Sequence, residues 1–116
     1  MRIWSEKLIP KLCQKHLCGM WRESLGAYKI ITENKIGYRN HPAVKEWENN
    51  PYGLWQILKL VKIESKKRGY NFKELPFQFF GNLKYGRIKG KEWQSLDEQI
   101  KILKLKQKTT NCKCNV

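Results

Sequence analysis

A chain of 116 residues, 41% of them hydrophobic, can bury one modest core and has no room for a second catalytic module, so a single domain over residues 1–110 with a polar tail at 111–116 is expected. The net charge of +14 is uneven, with nine cations and five acids in residues 1–50 but fifteen and five in residues 51–116, and such an excess favours a polyanionic partner over an acidic small molecule. No run approaches the ~20 apolar residues of a membrane span, and Glu6, Lys7, Lys11 and Lys15 interrupt any leader-like stretch, which predicts an unsecreted, intracellular protein without membrane association.

In chain order, Ile3 and Trp4 come first as apolar anchors at an end that would ordinarily fray; they either hold the amino terminus indoors or simply complete the core. Pro10 precedes a helix predicted over residues 12–30, where Cys13, Leu17, Met20, Trp21, Ser24, Leu25 and Tyr28 form an apolar stripe at spacings of three and four. Residues 32–50 read as a loop too polar for the core, with a short helical turn at Ala43–Trp47. A second helix starts near Pro51, carries Leu54, Ile57, Leu58 and Val61 on one face, and stops at Gly69 with Lys66, Lys67 and Arg68 in its last turn. The segment 70–91 is expected to be irregular. A third helix is predicted from Lys91 to Lys108 on the recurrence of Trp93, Leu96, Ile100 and Leu103, followed by a frayed polar tail. These elements make an all-α, compact single domain of three main helices with irregular connections and an N-terminal segment packed between helices.

Glu23 is the unusual acid. Its helical neighbours at three and four residues are Gly19, Met20, Gly26 and Ala27, none of which can form an i,i+4 ion pair. Each of the two glycines costs a helix roughly 1 kcal/mol relative to alanine, a cost that makes sense where another backbone or a ligand must come close. The plain alternative is an exposed glutamate beside tightly packed helices. His16, two turns earlier, falls on nearly the same face, while Arg22 points about 100° away, so the three can line one rim.

The α-amine of Met1 is the second chemical candidate. Its reference pKa of about 7.7–8.0, against about 10.4 for lysine, makes its neutral nucleophilic fraction at pH 7 a few hundred times larger. Surrounding positive charge lowers that value further. The bulky Arg2 predicts that Met1 is retained.

Lys84, Arg87, Lys89 and Lys91 sit in eight residues with Gly86 and Gly90, a pattern suited to phosphate contact, and Arg39, His41, Lys66, Lys67 and Arg68 extend the basic surface. The bland reading is a solvated basic loop. Four cysteines read as reduced thiols. Cys13, His16, Cys18, Cys112 and Cys114 have donor atoms that zinc takes, but neither Cys-x4-Cys on a helix nor an isolated Cys-x-Cys is a strong ligand pattern, and no metal site is expected.

On four blocks, the chain resembles the pyrimidine-dimer DNA glycosylase family, the endonuclease V of phage type. The blocks are Arg2-Ile3, His16-Leu17 with Arg22-Glu23, Lys67-Arg68-Gly69-Tyr70-Asn71, and Leu96-Asp97-Glu98-Gln99-Ile100. Met1-Arg2-Ile3-Trp4 and Gly37-Tyr38-Arg39-Asn40-His41-Pro42 look more like its cellular, bacterial branch. The resemblance implies a monomer that needs no metal or organic cofactor and acts on double-stranded DNA carrying ultraviolet lesions, in whichever compartment holds that DNA. By the same analogy the amine of Met1 attacks the sugar of the 5′ pyrimidine of a cyclobutane dimer, expels the base and forms a Schiff base, and Glu23 assists ring opening and β-elimination. Arg22 and His16 would hold the strand and Arg2 a phosphate, with Arg39, His41, Lys66, Arg68 and the 84–91 cations as further DNA contacts. Gly26 and Ser95 stand where the phage enzyme carries arginines, there is one extra residue before His16, and Cys112-Lys113-Cys114 replaces an aromatic tail. The alternatives are a non-catalytic basic DNA-binding protein and an abasic-site lyase without dimer specificity.

Overall fold

The computed structural model describes residues 3–72 and 94–116, and within them the chain is all-helical, with no strand. A 3-10 turn at Glu6–Lys11 leads into α1 (Gln14–Thr32), a single-turn α2 (Pro42–Lys45), α3 (Pro51–Lys67) and α4 (Leu96–Thr110).

The stripe of α1 does what its spacing predicts: Leu17, Met20, Trp21, Ser24, Ala27 and Tyr28 are buried. They meet Leu54, Ile57, Leu58 and Val61 of α3, and this pairing of α1 with α3 is the most extensive contact between the described helices. Each such aliphatic or aromatic side chain contributes about 1.5–3 kcal/mol on full burial. Asn50 starts α3 by accepting from the backbone of Gly53 at 3.1 Å, and Gly53 has no room for a β-carbon because the Asn50 and Trp47 side chains close over it. Gly69, at φ 80°, ends the same helix in the left-handed conformation.

Three expectations change. The stretch from residue 32 to 50 is not excluded from the core, because Ala43, Val44 and Trp47 are all buried in it. The last helix begins at Leu96 instead of near Lys91, since the Ser95 hydroxyl accepts from the Glu98 amide and caps it there. The tail is not frayed: Asn111 adopts φ 54°, turns the chain back, and the Asn115 amide donates to the Lys11 carbonyl at 2.7 Å.

Arg68 locks the corner between the 3-10 turn and α3. Its guanidinium donates to the carbonyls of Leu12 at 2.6 Å and Pro10 at 3.1 Å, and to Glu64 Oε1 at 2.9 Å. Gln99 of α4 reaches the start of the chain, where its Oε1 accepts from the buried Ser5 amide at 2.7 Å. Ile3 and Trp4 are buried just ahead of it, so the amino-terminal segment is packed among helices as expected.

Candidate active site on the first helix

Helix α1 is unbroken from Gln14 to Thr32, so His16 and Glu23 lie two turns, about 10 Å, apart on nearly one face. Glu23 is half-buried and Arg22 exposed. Neither makes an ion pair or side-chain hydrogen bond among the described residues. Around Glu23 the helix surface is open: a β-carbon built on Gly19 or Gly26 meets no atom within 4 Å. Among the described residues no backbone packs against those glycines, which leaves room on this face for a ligand.

His16 occupies the other end of this face. The Trp4 ring stands edge-on to its imidazole at 5.9 Å between centroids, which ties the amino-terminal segment to α1. Its Nδ1 turns toward sulfur, 3.2 Å from Cys13 and 3.1 Å from Cys114. Burial, then the charges of Lys106 and Lys15, hold the imidazole below the ordinary histidine pKa and so keep it neutral near pH 7. Burial likewise raises the Cys114 thiol to about 12. For Cys13 burial also pushes upward, but hydrogen bonding, foremost from the His16 backbone, outweighs it and leaves that thiol below the usual value.

The other basic candidates separate by what they touch. Arg39 donates to Asn34 Oδ1 at 2.6 Å and lies 3.7 Å from Glu48, which shapes the exposed turn carrying Ile36 and Tyr38. His41 caps α2 by accepting from the Ala43 amide. Lys66 is exposed on the last turn of α3. Arg68 directs its donors inward, as described above, and its position is that of a clamp within the fold. Met1, Arg2, Lys84, Arg87, Lys89 and Lys91 lie outside the described residues.

Sequence reasoning passed over Gln99 as a positioning residue, although it stood inside a matching block. The usable signal was an uncharged amide on the apolar side of a lysine-rich helix, between Leu96 and Leu103. The link between the tail and α1 carried no comparable signal.

Comparison with known proteins adds the deciding observation: the family model described as pyrimidine dimer DNA glycosylase matches residues 1–76, well over half of the chain. The chain belongs to this family. Pyrimidine-dimer glycosylase and lyase chemistry on damaged DNA follows from that membership. In the pyrimidine dimer DNA glycosylase match, the 3-10 turn, α1, α2 and α3 all fall inside the matched residues, whereas α4 and the cysteines of the tail fall beyond them. Neither the curated proteins nor the solved structures contain a match.

Proposed function

We propose that the protein removes the 5′ pyrimidine of a cyclobutane dimer through a Schiff base to the α-amine of Met1 and then nicks the abasic strand by β-elimination. The observation that carries this reading is the half-buried Glu23, free of any ion pair among the described residues, on a helix face kept open by Gly19 and Gly26. An unpaired carboxylate beside room for a sugar suits proton removal, and an imine-forming amine must be neutral, so the two roles divide between groups of different pKa.

The amino-terminal segment supports this assignment. Trp4 is anchored on His16, and three residues can span at most about 10 Å, comparable to the two turns between His16 and Glu23. Exposed Arg22 stands beside Glu23 for a phosphate, and Arg2, Arg39, His41, Lys66 and the cations at 84, 87, 89 and 91 serve as the wider DNA-binding set. The domain of residues 1–110 acts as one unit on ultraviolet-damaged duplex, and the terminal and Gly37–Pro42 blocks favour the bacterial branch of the family.

Borohydride trapping on ultraviolet-irradiated and abasic duplexes in parallel, with peptide mapping of the adduct, tests this. The expected product is an adduct on Met1 with both substrates, abolished by blocking the amino terminus. Glu23→Gln should slow strand cleavage by at least about a hundredfold, the scale of a lost general base, while DNA binding persists. Trapping on abasic DNA alone would reduce the activity to a lyase. No trapping on either, with binding intact, would make it a binding protein, and an adduct on lysine would displace Met1.

A further inference from the structure

Four metal-binding side chains converge where the start of α1 meets the tail. Cys13, His16, Cys112 and Cys114 each offer one ligand atom, and these atoms all lie within 4.8 Å of one another. In a tetrahedral zinc site, bonds of about 2.3 Å to sulfur and 2.0–2.1 Å to nitrogen set neighbouring ligand atoms about 3.5–3.8 Å apart. Distances of 3.1 and 3.2 Å from His16 Nδ1 to two sulfurs, with the widest pair within 4.8 Å, bracket those edges. Side-chain adjustments of about 1 Å or less would bring all four onto one ion.

We infer that Cys13, His16, Cys112 and Cys114 form a structural zinc site that fastens the tail to the start of α1. Three thiolates and one imidazole make a closed four-coordinate donor set, the kind that holds zinc for structure and leaves no position for substrate. The ligands arrive as Cys-x2-His from one end of the chain and Cys-x-Cys from the other. Cys18, which shares the Cys-x4-Cys spacing with Cys13, is not among the four.

Burial in the tail points the same way. Residues 109–115 are Thr, Thr, Asn, Cys, Lys, Cys and Asn, and Cys114 alone among them is buried, at 3% exposure. Beyond Cys114, the tail's apolar contacts with the core come from the partly buried Cys112 and Val116, which is little hydrophobic burial to hold back so polar a segment. Hydrogen bonds already orient Cys114: the Cys13 amide donates to its Sγ at 3.1 Å, and Gln107 Nε2 donates to its carbonyl. Cys13 occupies the N-cap of α1 without a capping bond from its side chain, where the helix dipole favours a thiolate. Three thiolates on a dication carry one net negative charge, and the surroundings offset it: a cleft of about 490 Å³ beside Cys13 and Cys112 is edged by Lys15 and Lys113. A disulfide would use two sulfurs and leave the third sulfur and the imidazole nitrogen facing it.

The test is metal content, independent of any action on DNA. Protein purified under reducing conditions from zinc-supplemented cells should carry about one zinc per chain by elemental analysis. A mercurial thiol reagent should release that zinc, and cobalt substitution should give thiolate charge-transfer bands with the visible bands of a tetrahedral ion. Cys112→Ser and Cys114→Ser should each weaken zinc binding by at least about tenfold, Cys112→His should keep the stoichiometry, and Cys18→Ser should change nothing. The measurements on the unaltered chain stand even if a variant fails to fold. Four freely titrating thiols with no metal, a disulfide among these cysteines, an iron–sulfur chromophore, or full zinc binding in Cys112→Ser would each overturn the assignment.

Discussion

The backbone amide of Ser5 donates to the side-chain oxygen of Gln99 at 2.7 Å, a buried bond between positions 94 residues apart. The other half of the same amide, Nε2, donates to the Gln94 carbonyl at 3.1 Å, so Gln99 joins the start of the chain to the entrance of α4. Gln99→Leu leaves the Ser5 amide buried without its acceptor and should cost about 1–3 kcal/mol, read as a lower denaturation midpoint. Because Ser5 lies four residues from Met1, trapping should also slow while DNA affinity holds. Gln99→Glu keeps an acceptor and should lose less; equal stability of Gln99→Leu and the parent would remove this role.

Gly19→Ala and Gly26→Ala set fold against function. Both sites are helix interior with open space around a new β-carbon, so each substitution should stabilise the protein by about 0.5–1 kcal/mol. Each should also slow processing of irradiated DNA, by about tenfold if the methyl group costs the transition state 1.4 kcal/mol. Greater stability with undiminished activity would mean that DNA does not approach this face.

Arg68 makes a prediction opposite to that of a surface cation. Arg68→Ala should destabilise by about 2–3 kcal/mol through the lost charge-assisted bonds to the Leu12 and Pro10 carbonyls. Arg68→Lys should recover little, since an ammonium lacks the planar fork that spans them. The salt dependence of DNA binding should stay the same, whereas Lys66→Ala should reduce its slope by about one. A slope reduced by about one in folded Arg68→Gln, which removes the charge, would show a phosphate contact.

How much of this was legible in the sequence depends on the range of the interaction involved. The stripes of α1 and α3 are local periodic patterns, and the structure buries them; Gly69 as a helix stop is likewise a one-residue signal. The segment 32–50 was misjudged because its average polarity hides Ala43, Val44 and Trp47, which become buried only through short turns. Ser95 looked like a missing cation and proved to be a cap. At the candidate site, Glu23 stood out through the absence of helical partners, a local property. Gln99 with Ser5, and His16 with Cys114, are pairings across almost the whole chain, and no periodicity encodes them.

Ser24, next to Glu23 and turned into the core, has a fully buried hydroxyl without a hydrogen-bond partner among the described residues. Ser24→Ala removes that desolvated group and adds helix propensity, so a gain of about 1 kcal/mol in thermal or chemical denaturation is expected. A loss of stability would reveal a partner for the hydroxyl.

The bond from Asn115 to the Lys11 carbonyl turns a linear polypeptide into something close to a ring. Tension applied at residue 116 would be felt at the 3-10 turn without travelling through α1, α3 and α4 in sequence. A tag, a clipped tail or a surface tethered at the carboxyl end should therefore disturb the proposed nucleophile at the opposite terminus, and immobilisation would leave the chemistry untouched only if attached elsewhere.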